Sequence, residues 1–286
     1  STTAQPVEQT AIMAEPLPSR RRWPRWVIIV LIGFIVTSSL MILTIGRDFL
    51  ARYDEPTPTP SPTEIPRWRE LSALPIPRSR LTLVAFENQL YAIGGESIQG
   101  ITGESNLYNI QDNTWTTLAR KPIAVADITA AVINGFIYVP GGRTGLEPTQ
   151  LTDHLEIYDL AKDVWLQGAP LPFPLSGYSA LAFEGRLYLF GGWDGQGYRS
   201  DVLMYDPTLD TWQERSPMPT ARAFSSAAEA NGVIYVIGGY NGSQPLDTNE
   251  VYSPTRDNKD NAPWEATQAL PQGRYDMGIT SVADLI

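Results

Sequence analysis

Short apolar runs recur along this chain, and a pair of glycines closely follows each one. The runs occupy residues 90–93, 136–139, 187–190 and 233–237. Turn pairs precede three of them, namely Asn134-Gly135, Glu184-Gly185 and Asn231-Gly232. Asn-Gly between apolar segments predicts a tight hairpin because both turn residues take positive φ. An apolar run without alternation predicts a strand that is buried on both faces.

Tryptophans and glycines repeat together and mark one copied unit. The tryptophans are Trp68, Trp115, Trp165, Trp212 and Trp264, and a proline follows each by seven residues. The glycine pairs are Gly94-Gly95, Gly141-Gly142, Gly191-Gly192 and Gly238-Gly239. A tyrosine stands three residues before each pair, and a second tyrosine follows before the next tryptophan. Four short strands in a unit of about 50 residues predict a propeller blade, with the tryptophans in the core between blades.

In these repeated residues the chain resembles the kelch-repeat family. The matching features are the Ile-Tyr-Val run before Gly-Gly, the later Tyr-Asp at Tyr158-Asp159 and Tyr205-Asp206, and the tryptophan. The resemblance extends from about residue 64 to the last residue. It implies an all-β fold, a kelch-type β-propeller with four complete repeats and a partial fifth.

The two ends of the repeat region differ from the copies between them. Trp68 has no tyrosine or glycine pair before it, so we expect a lone fourth strand that closes the ring, as related propellers often do. Superposed repeats place Leu285 and Ile286 at the start of the second strand of the fifth copy. We therefore expect a fragment cut at both ends. The alternative is a natural short form, closed by a partner chain or by collapse to four blades.

An uncharged apolar segment precedes the repeats. Residues 27–45 span about 28 Å as a helix, close to a bilayer core, and four arginines stand just before them. This arginine excess predicts one transmembrane α-helix with a cytoplasmic N-terminus and an extracytoplasmic propeller. A cleaved signal peptide is the alternative. We expect residues 1–26 to form a disordered cytoplasmic tail with a basic flank, 46–66 a juxtamembrane and Pro/Thr-rich linker, and 67–286 the incomplete propeller.

Composition excludes several classes of function. The chain has 31 acidic and 21 basic residues and a net charge of −10, so an acidic body argues against nucleic-acid binding. It has no cysteine, which removes disulfides and a thiol nucleophile. Its one histidine, His154, has no neighbours at metal-ligand spacing. We therefore expect no metal and no cofactor, and no catalytic constellation is visible.

Candidate binding residues lie in the connections between strands. Because strands alternate in direction, the 2–3 and 4–1 connections share one face, and the 2–3 connections vary most. Three arginines hold matching positions before strand 1, namely Arg78, Arg222 and Arg274. In related kelch domains this rim holds acidic peptides. The alternative is a framework role, in which each arginine pairs with an acid of a neighbouring blade.

A second candidate set follows two of the glycine pairs, namely Trp193, Asp194, Tyr240 and Asn241. An aromatic ring at a loop tip can stack on a sugar or anchor a partner protein. The alternative is a glycine-stabilised turn with the ring packed against the next blade.

These observations predict a membrane-tethered, extracytoplasmic kelch propeller that acts as a binding, interaction or sensor module. The ligand is expected on the 2–3 and 4–1 face, and a protein partner is favoured over a glycan. The alternative is a carbohydrate-active propeller enzyme of the sialic acid mutarotase type, since such enzymes use Arg and Glu without a metal.

Overall fold

The computed structural model describes residues 68–257 and 262–281, together with positions 24, 29, 30, 33 and 37. The chain divides into two compact units, Ser1–Arg69 and Glu70–Ile286. In the first unit, positions 29, 30, 33 and 37 are helical. Most of the predicted tail, apolar segment and linker lies outside the described residues. Within the part of the chain that is described, no helix is both long and apolar enough to cross a bilayer.

The second unit is built from four-stranded antiparallel sheets, which we call blades I to IV. In blade I, a small hairpin stands between the second and third strands, so the strands are β1 (Thr82–Phe86), β2 (Gln89–Ile93), the hairpin strands β3 (Glu96–Ser97) and β4 (Gly100–Ile101), β5 (Ser105–Asn109) and β6 (Thr114–Thr117). Blade II comprises β7 (Ala131–Ile133), β8 (Phe136–Pro140), β9 (Leu155–Asp159) and β10 (Val164–Gly168). Blade III comprises β11 (Ser179–Phe183), β12 (Arg186–Trp193), β13 (Tyr198–Asp206) and β14 (Thr211–Arg215). Blade IV comprises β15 (Ser226–Ala230), β16 (Val233–Ile237), β17 (Asn249–Tyr252) and β18 (Trp264–Ala266).

The predicted strands and hairpins are confirmed. Most residues of the second strand of each blade are buried, and Ile137, Leu187 and Ile234 are fully inaccessible to solvent. The 1–2 turns place Asn134 and Asn231 at φ of 51° and 55°, which is the left-handed region that a two-residue hairpin requires. Three apolar clusters lie between successive blades and join them into one body.

The glycine pairs bring neighbouring blades into backbone contact. Gly142 donates its N–H to Leu175 O at 2.8 Å, and a Cβ on Gly141 would lie 2.4 Å from the same carbonyl oxygen. The pair at Gly191-Gly192 meets Arg222 O in the same way. Only glycine leaves room for this approach, and Gly142 also has φ of 113°. The expectation of a close backbone approach at these pairs is therefore confirmed.

A three-residue latch joins each of blades II to IV to the blade before it, and it joins blade I to Ser72 in the segment that precedes that blade. In blade II, Asp163 Oδ1 accepts hydrogen bonds from Tyr158 Oη at 2.6 Å and from Ala119 N–H at 2.7 Å, and Trp165 Nε1 donates to Ala119 O at 2.9 Å. Each of the other blades repeats the arrangement with its own tyrosine, acid or amide, and tryptophan, namely Tyr108, Asn113 and Trp115; Tyr205, Asp210 and Trp212; Tyr252, Asp257 and Trp264. Trp165, Trp212 and Trp264 therefore lie at the seams between blades, as predicted, whereas Trp115 contacts Ser72, which belongs to no described strand.

Trp68 differs from the other tryptophans. Its side chain is 90% exposed and it belongs to no strand. The expectation of a closing fourth strand at Trp68 is therefore wrong for the residues that the structure describes. The physical reason is that a fourth strand needs a third strand beside it, and no ladder partner for residue 68 occurs in the described ranges.

Candidate partner-binding face

The 4–1 connections meet at the centre of the propeller. At the same step in each connection one residue takes a positive φ between 54° and 61°, and these residues are Arg80, Asp127, Gly177, Phe224 and Asp276. Each of the last four donates its backbone N–H to the carbonyl oxygen of the one before it, at 2.6 to 3.0 Å. The connections are thereby fixed to one another. We call the side of the propeller that holds them and the 2–3 connections the loop face.

Two cavities open next to this chain of hydrogen bonds. The central cavity, of about 510 Å³, is lined by residues 79–81, 127–129, 177–178, 224–225 and 276–278. The side groove, of about 370 Å³, is lined by Arg80, Glu96, Asp127, Arg143, Leu146, Pro148, Ser176, Trp193 and Phe224. The two share Arg80, Asp127 and Phe224, so they adjoin.

Arg143 organises the charges of the side groove. Its Nε donates to Asp127 Oδ2 and its Nη2 to Glu96 Oε2, both at 2.6 Å, while Nη1 donates to Gly145 O at 2.5 Å. Burial disfavours the charge on Arg143, but the hydrogen bonds to the two carboxylates outweigh burial and raise its pKa. This side chain, only 9% exposed, ties the 2–3 connections of blades I and II together. Arg143 was not predicted as a candidate because it directly follows Gly141-Gly142, a glycine pair that belongs to the structural repeat.

Arg80 and Asp276 are the more open charges of the central cavity. Arg80 Nη1 lies 3.0 Å from Asp127 Oδ1, and 53% of the Arg80 side chain is exposed. Burial raises the pKa of the Asp276 carboxyl, Arg80 opposes that rise, and Asp127 adds to it. Among the described residues, the Asp276 side chain has no hydrogen bond or ion pair.

The three predicted arginines do not form a common site. Arg222 is fully buried, with its Nη2 2.5 Å from Glu250 Oε2 and its Nη1 donating to Gly238 O at 2.9 Å. Burial lowers the pKa of Arg222, and Glu250 opposes that shift. Arg78 Nη2 donates to Asn106 Oδ1 at 2.8 Å. Arg274 is exposed. For Arg222 and Arg78 the geometry favours the framework role, but the partner lies on the third strand of the same blade rather than on a neighbouring blade.

The position before strand 1, which holds Arg78 and Arg222 in blades I and IV, carries other residue types in blades II and III. Where Val125 replaces the arginine in blade II, Lys121 approaches from four residues earlier and pairs with Glu156. Where Leu175 replaces it in blade III, Leu203 replaces the acid, and both belong to one apolar cluster. A signal for this exchange was present in the sequence. The residue two positions before the second tyrosine is polar or acidic wherever a cation stands opposite, and apolar in blade III.

Trp193 and Tyr240 lie in a strip of aromatic contacts on the loop face. Trp193 Nε1 donates to Pro148 O of the preceding blade at 3.1 Å, and its ring centroid is 5.0 Å from that of Tyr198. Tyr198 contacts Tyr240 at 5.6 Å, and Tyr240 contacts Tyr275 at 5.5 Å. The rings pack on neighbouring loops, and Tyr275 remains 47% exposed.

Asp194 and Asn241 both cap turns. Asp194 Oδ1 accepts the N–H groups of Gln196 and Gly197 at 2.8 and 2.7 Å, and Asp194 Oδ2 lies 3.1 Å from Arg199 Nη1. Asn241 Oδ1 accepts the N–H groups of residues 243 and 244, both at 3.0 Å. These side-chain oxygens shape the loops, as the turn alternative expected. A binding role for them stays a prediction.

The loop face also exposes large apolar side chains. Ile98, at the tip of the β3–β4 hairpin, is 99% exposed, and Leu146, beside the side groove, is 72% exposed. His154 Nδ1 lies 2.9 Å from Thr152 Oγ1 on the same face. In the described part of the chain, no group of three His, Asp or Glu residues could hold a metal ion.

Comparison with known proteins places the fold among kelch repeats. Residues 81–286 match the family model of the KLHDC2/KLHL20/DRC7 Kelch-repeats domain. The chain is 28% identical over 129 residues to the Kelch-like protein terF of Aspergillus terreus, covering 44% of this chain and 28% of that protein. It is 30% identical over 147 residues to the human Kelch repeat and BTB domain-containing protein 12, covering 45% of this chain and 24% of that protein. The match thus spans about a quarter of these relatives.

A solved structure shares the architecture. The structure of YjhT superposes with a TM-score of 0.64 and 20% sequence identity, over 73% of this chain and 76% of that one. At this level of identity the similarity concerns the fold alone.

Proposed function

The chain belongs to the kelch-repeat family, and from this membership we propose that its propeller is an interaction module that holds a protein partner on the loop face. The observation that carries the proposal is the side groove with Leu146 at its edge. A leucine that is 72% exposed beside a groove of about 370 Å³ offers an apolar anchor point on a rigid support. The ion pairs of Arg143 hold that support in place, which lowers the ordering cost of binding.

A pair of matched variants tests the proposal. Leu146→Asp places a charge on the loop face, whereas Leu209→Asp makes the same change at a residue that is 63% exposed on a 3–4 hairpin of the opposite face. Both chains are expressed in their native cells, crosslinked and purified, and the recovered proteins are quantified against the parent chain. We expect a partner that is lost with Leu146→Asp and kept with Leu209→Asp. Equal recovery with both variants would remove the loop face from consideration.

We also propose that residues 27–45 anchor the propeller to a membrane on its extracytoplasmic side. The support is the uncharged apolar segment and the arginines before it. Because the chain has no cysteine, a single introduced thiol reports its own location. A membrane-impermeant maleimide should label Ser243→Cys in intact cells and Ser19→Cys only after lysis. The opposite pattern, or equal protection of both thiols, contradicts the proposed orientation.

A carbohydrate-active enzyme is the second candidate. The observation that favours it is the half-exposed guanidinium of Arg80 beside the carboxylate of Asp127 in the side groove, since an arginine can orient a sugar and a carboxylate can accept its proton without a metal. The assay follows anomer exchange of free sugars, sialic acid included, by NMR in the presence of the purified chain. Exchange at the uncatalysed rate would eliminate this candidate.

A further inference from the structure

The charges that line the two cavities are mainly carboxylates, and among these carboxylates only Asp276 is exposed. The two cavities are lined by Glu96, Asp127 and Asp276 and by the guanidinium groups of Arg80 and Arg143. All three donor nitrogens of Arg143 have protein partners, so its charge is already satisfied. It therefore offers little to an incoming ligand.

Arg80 is held less firmly than Arg143. Arg80 contacts Asp127 at 3.0 Å and Glu96 at 3.9 Å, and Arg143 pairs with both of these acids at 2.6 Å. Arg80 can therefore turn toward solvent and leave Asp127 paired. An approaching cation would then meet no fixed positive charge at the central cavity.

Asp276 is the unpaired group of this cavity. The described residues provide no hydrogen bond or ion pair to its carboxylate, which follows directly after the exposed ring of Tyr275. The ring of Phe224 lies 6.5 Å from that of Tyr275. Asp276 and Phe224 line the same cavity, and a carboxylate and an aromatic ring in one cavity suit an ammonium or guanidinium group, because the ring face attracts the same charge.

The surrounding loops add to the acidity. Glu147 and Asp247 are exposed on the 2–3 connections of blades II and IV. Arg120 and Arg274 are exposed cations on the same side, and Arg120 pairs with Glu104 at 2.7 Å. The carboxylates still outnumber the guanidinium groups, in keeping with a net charge of −10 for the chain. An acidic surface draws in basic partners and repels acidic ones.

We propose that the partner presents a basic segment to the loop face, with a Lys or Arg side chain at Asp276 and an apolar side chain against Leu146. This inference rests on the proposed protein-binding function and names the chemistry of the partner. It is the reverse of the acidic peptide that the family resemblance implied, since Arg222 is buried and Arg78 is engaged within its own blade.

The test selects peptides from a random linear library displayed on phage, using the whole purified chain as bait and the Leu146→Asp chain for counter-selection. We expect the recovered peptides to be enriched in Lys or Arg next to apolar residues. Their binding, measured by fluorescence anisotropy, should weaken as ionic strength rises.

A conservative variant locates the cation. Asp276→Asn removes the charge and keeps the size, and Asn tolerates the φ of 54° at this position. It should weaken the recovered peptides by about fivefold, the size expected for one exposed charge pair. The matched control is Asp112→Asn, an exposed acid on a 3–4 hairpin of the opposite face, which should leave affinity unchanged.

Different outcomes would count against the basic segment and against the loop face as a binding surface. Acidic peptides that bind the loop face, or basic peptides that bind Asp276→Asn as tightly as the parent chain, would overturn the inference and leave the proposed function standing. Peptides whose binding ignores Leu146→Asp, or a library that gives no binder, would count against the loop face as a binding surface and remove the inference with it.

Discussion

Blades III and IV fill the same interior position with different chemistry, and exchanging the two tests how the framework is held. Blade IV places Arg222 against Glu250, with side chains 0% and 6% exposed. Blade III places Leu175 and Leu203 at the corresponding positions, within one apolar cluster. The variants are Glu250→Leu, Arg222→Leu and the double substitution, which gives blade IV the solution of blade III.

The expected magnitudes follow from what each change leaves buried. Removing one partner strands the other charge, and that costs about 3 to 5 kcal/mol for either single variant. The double variant removes both charges. Its main remaining cost is Gly238 O, which loses the hydrogen bond from Arg222 Nη1 at 2.9 Å, worth about 1 to 3 kcal/mol if no other donor replaces it. The double variant should therefore be more stable than the summed single losses predict by about 3 kcal/mol or more.

Urea unfolding provides the assay, with hydrogen exchange of the β16 and β17 amides as a local readout. The local measurement matters because a repeat array can unfold blade by blade, and a single transition is not guaranteed. A volume-conserving change in blade III, Leu203→Met, is the control and should cost less than about 1.5 kcal/mol. Two results would refute the reasoning. One is a loss below about 1 kcal/mol for Glu250→Leu, and the other is a double variant equal to the sum of the singles.

Three further outcomes are expected for the latches and the glycine pairs. Asp163→Gly, which removes both accepted hydrogen bonds without straining the φ of 54°, should cost about 2 kcal/mol by urea unfolding, whereas Asp163→Asn should cost less than about 1 kcal/mol because blade I uses Asn113 there. Hydrogen bonds from the Tyr205 hydroxyl and the Ala169 N–H hold the pKa of Asp210 below its usual value. Asp210 therefore stabilises the fold above the unfolded pKa, and this stability is lost as pH falls through the folded pKa. Asp210→Asn should remove this pH dependence, so that the free energy of unfolding falls less steeply in acid. Gly191→Ala would place a Cβ 2.2 Å from a carbonyl oxygen and should cost several times more than Gly185→Ala, which has positive φ but open space; equal thermal shifts would show that contact is not the constraint.

The repeat could be predicted from the sequence because its constraints are local. The hairpin turns need positive φ, the second strands need apolar side chains on both faces, and the glycine pairs need close backbone approach. Each requirement leaves a residue type at a fixed position. The period of these positions was enough to predict four blades and their strand order, which the structure and the family match confirm.

The latch was missed although its spacing is constant. Tyr158 and Asp163 are five residues apart, and Tyr252 and Asp257 keep that spacing even where blade IV inserts residues before Trp264. The insertion begins after the acid, so the latch survives it. The tryptophan is the more conspicuous repeat marker, but the insertion changes its distance from the tyrosine, whereas the five-residue interval from the tyrosine to the acid or amide is the same in every blade.

The arginines show what a repeat alignment does not provide. Equal positions before strand 1 suggested equal roles, yet Arg222 is buried, Arg78 is engaged with Asn106 and Arg274 is exposed. The role depends on the residue that the third strand places opposite, which is a long-range contact. The apolar segment at 27–45 remains a prediction from hydropathy and charge, since most of it lies outside the described residues.

Cations and exposed carboxylates occupy different parts of the propeller, and this separation leaves the loop face acidic while its loops stay fixed. Blades I, II and IV each hold a cation against their third strand, namely Arg78, Lys121 and Arg222, whereas blade III has leucines at these positions. Arg143 is consumed between two loops. Several basic residues therefore hold the scaffold, and the exposed carboxylates of Glu147, Asp247 and Asp276 have no ion pair among the described residues. The same buried cations hold the scaffold rigid and leave the loop face acidic. A substitution that frees one of them should therefore change both the stability of the fold and the charge that a partner meets.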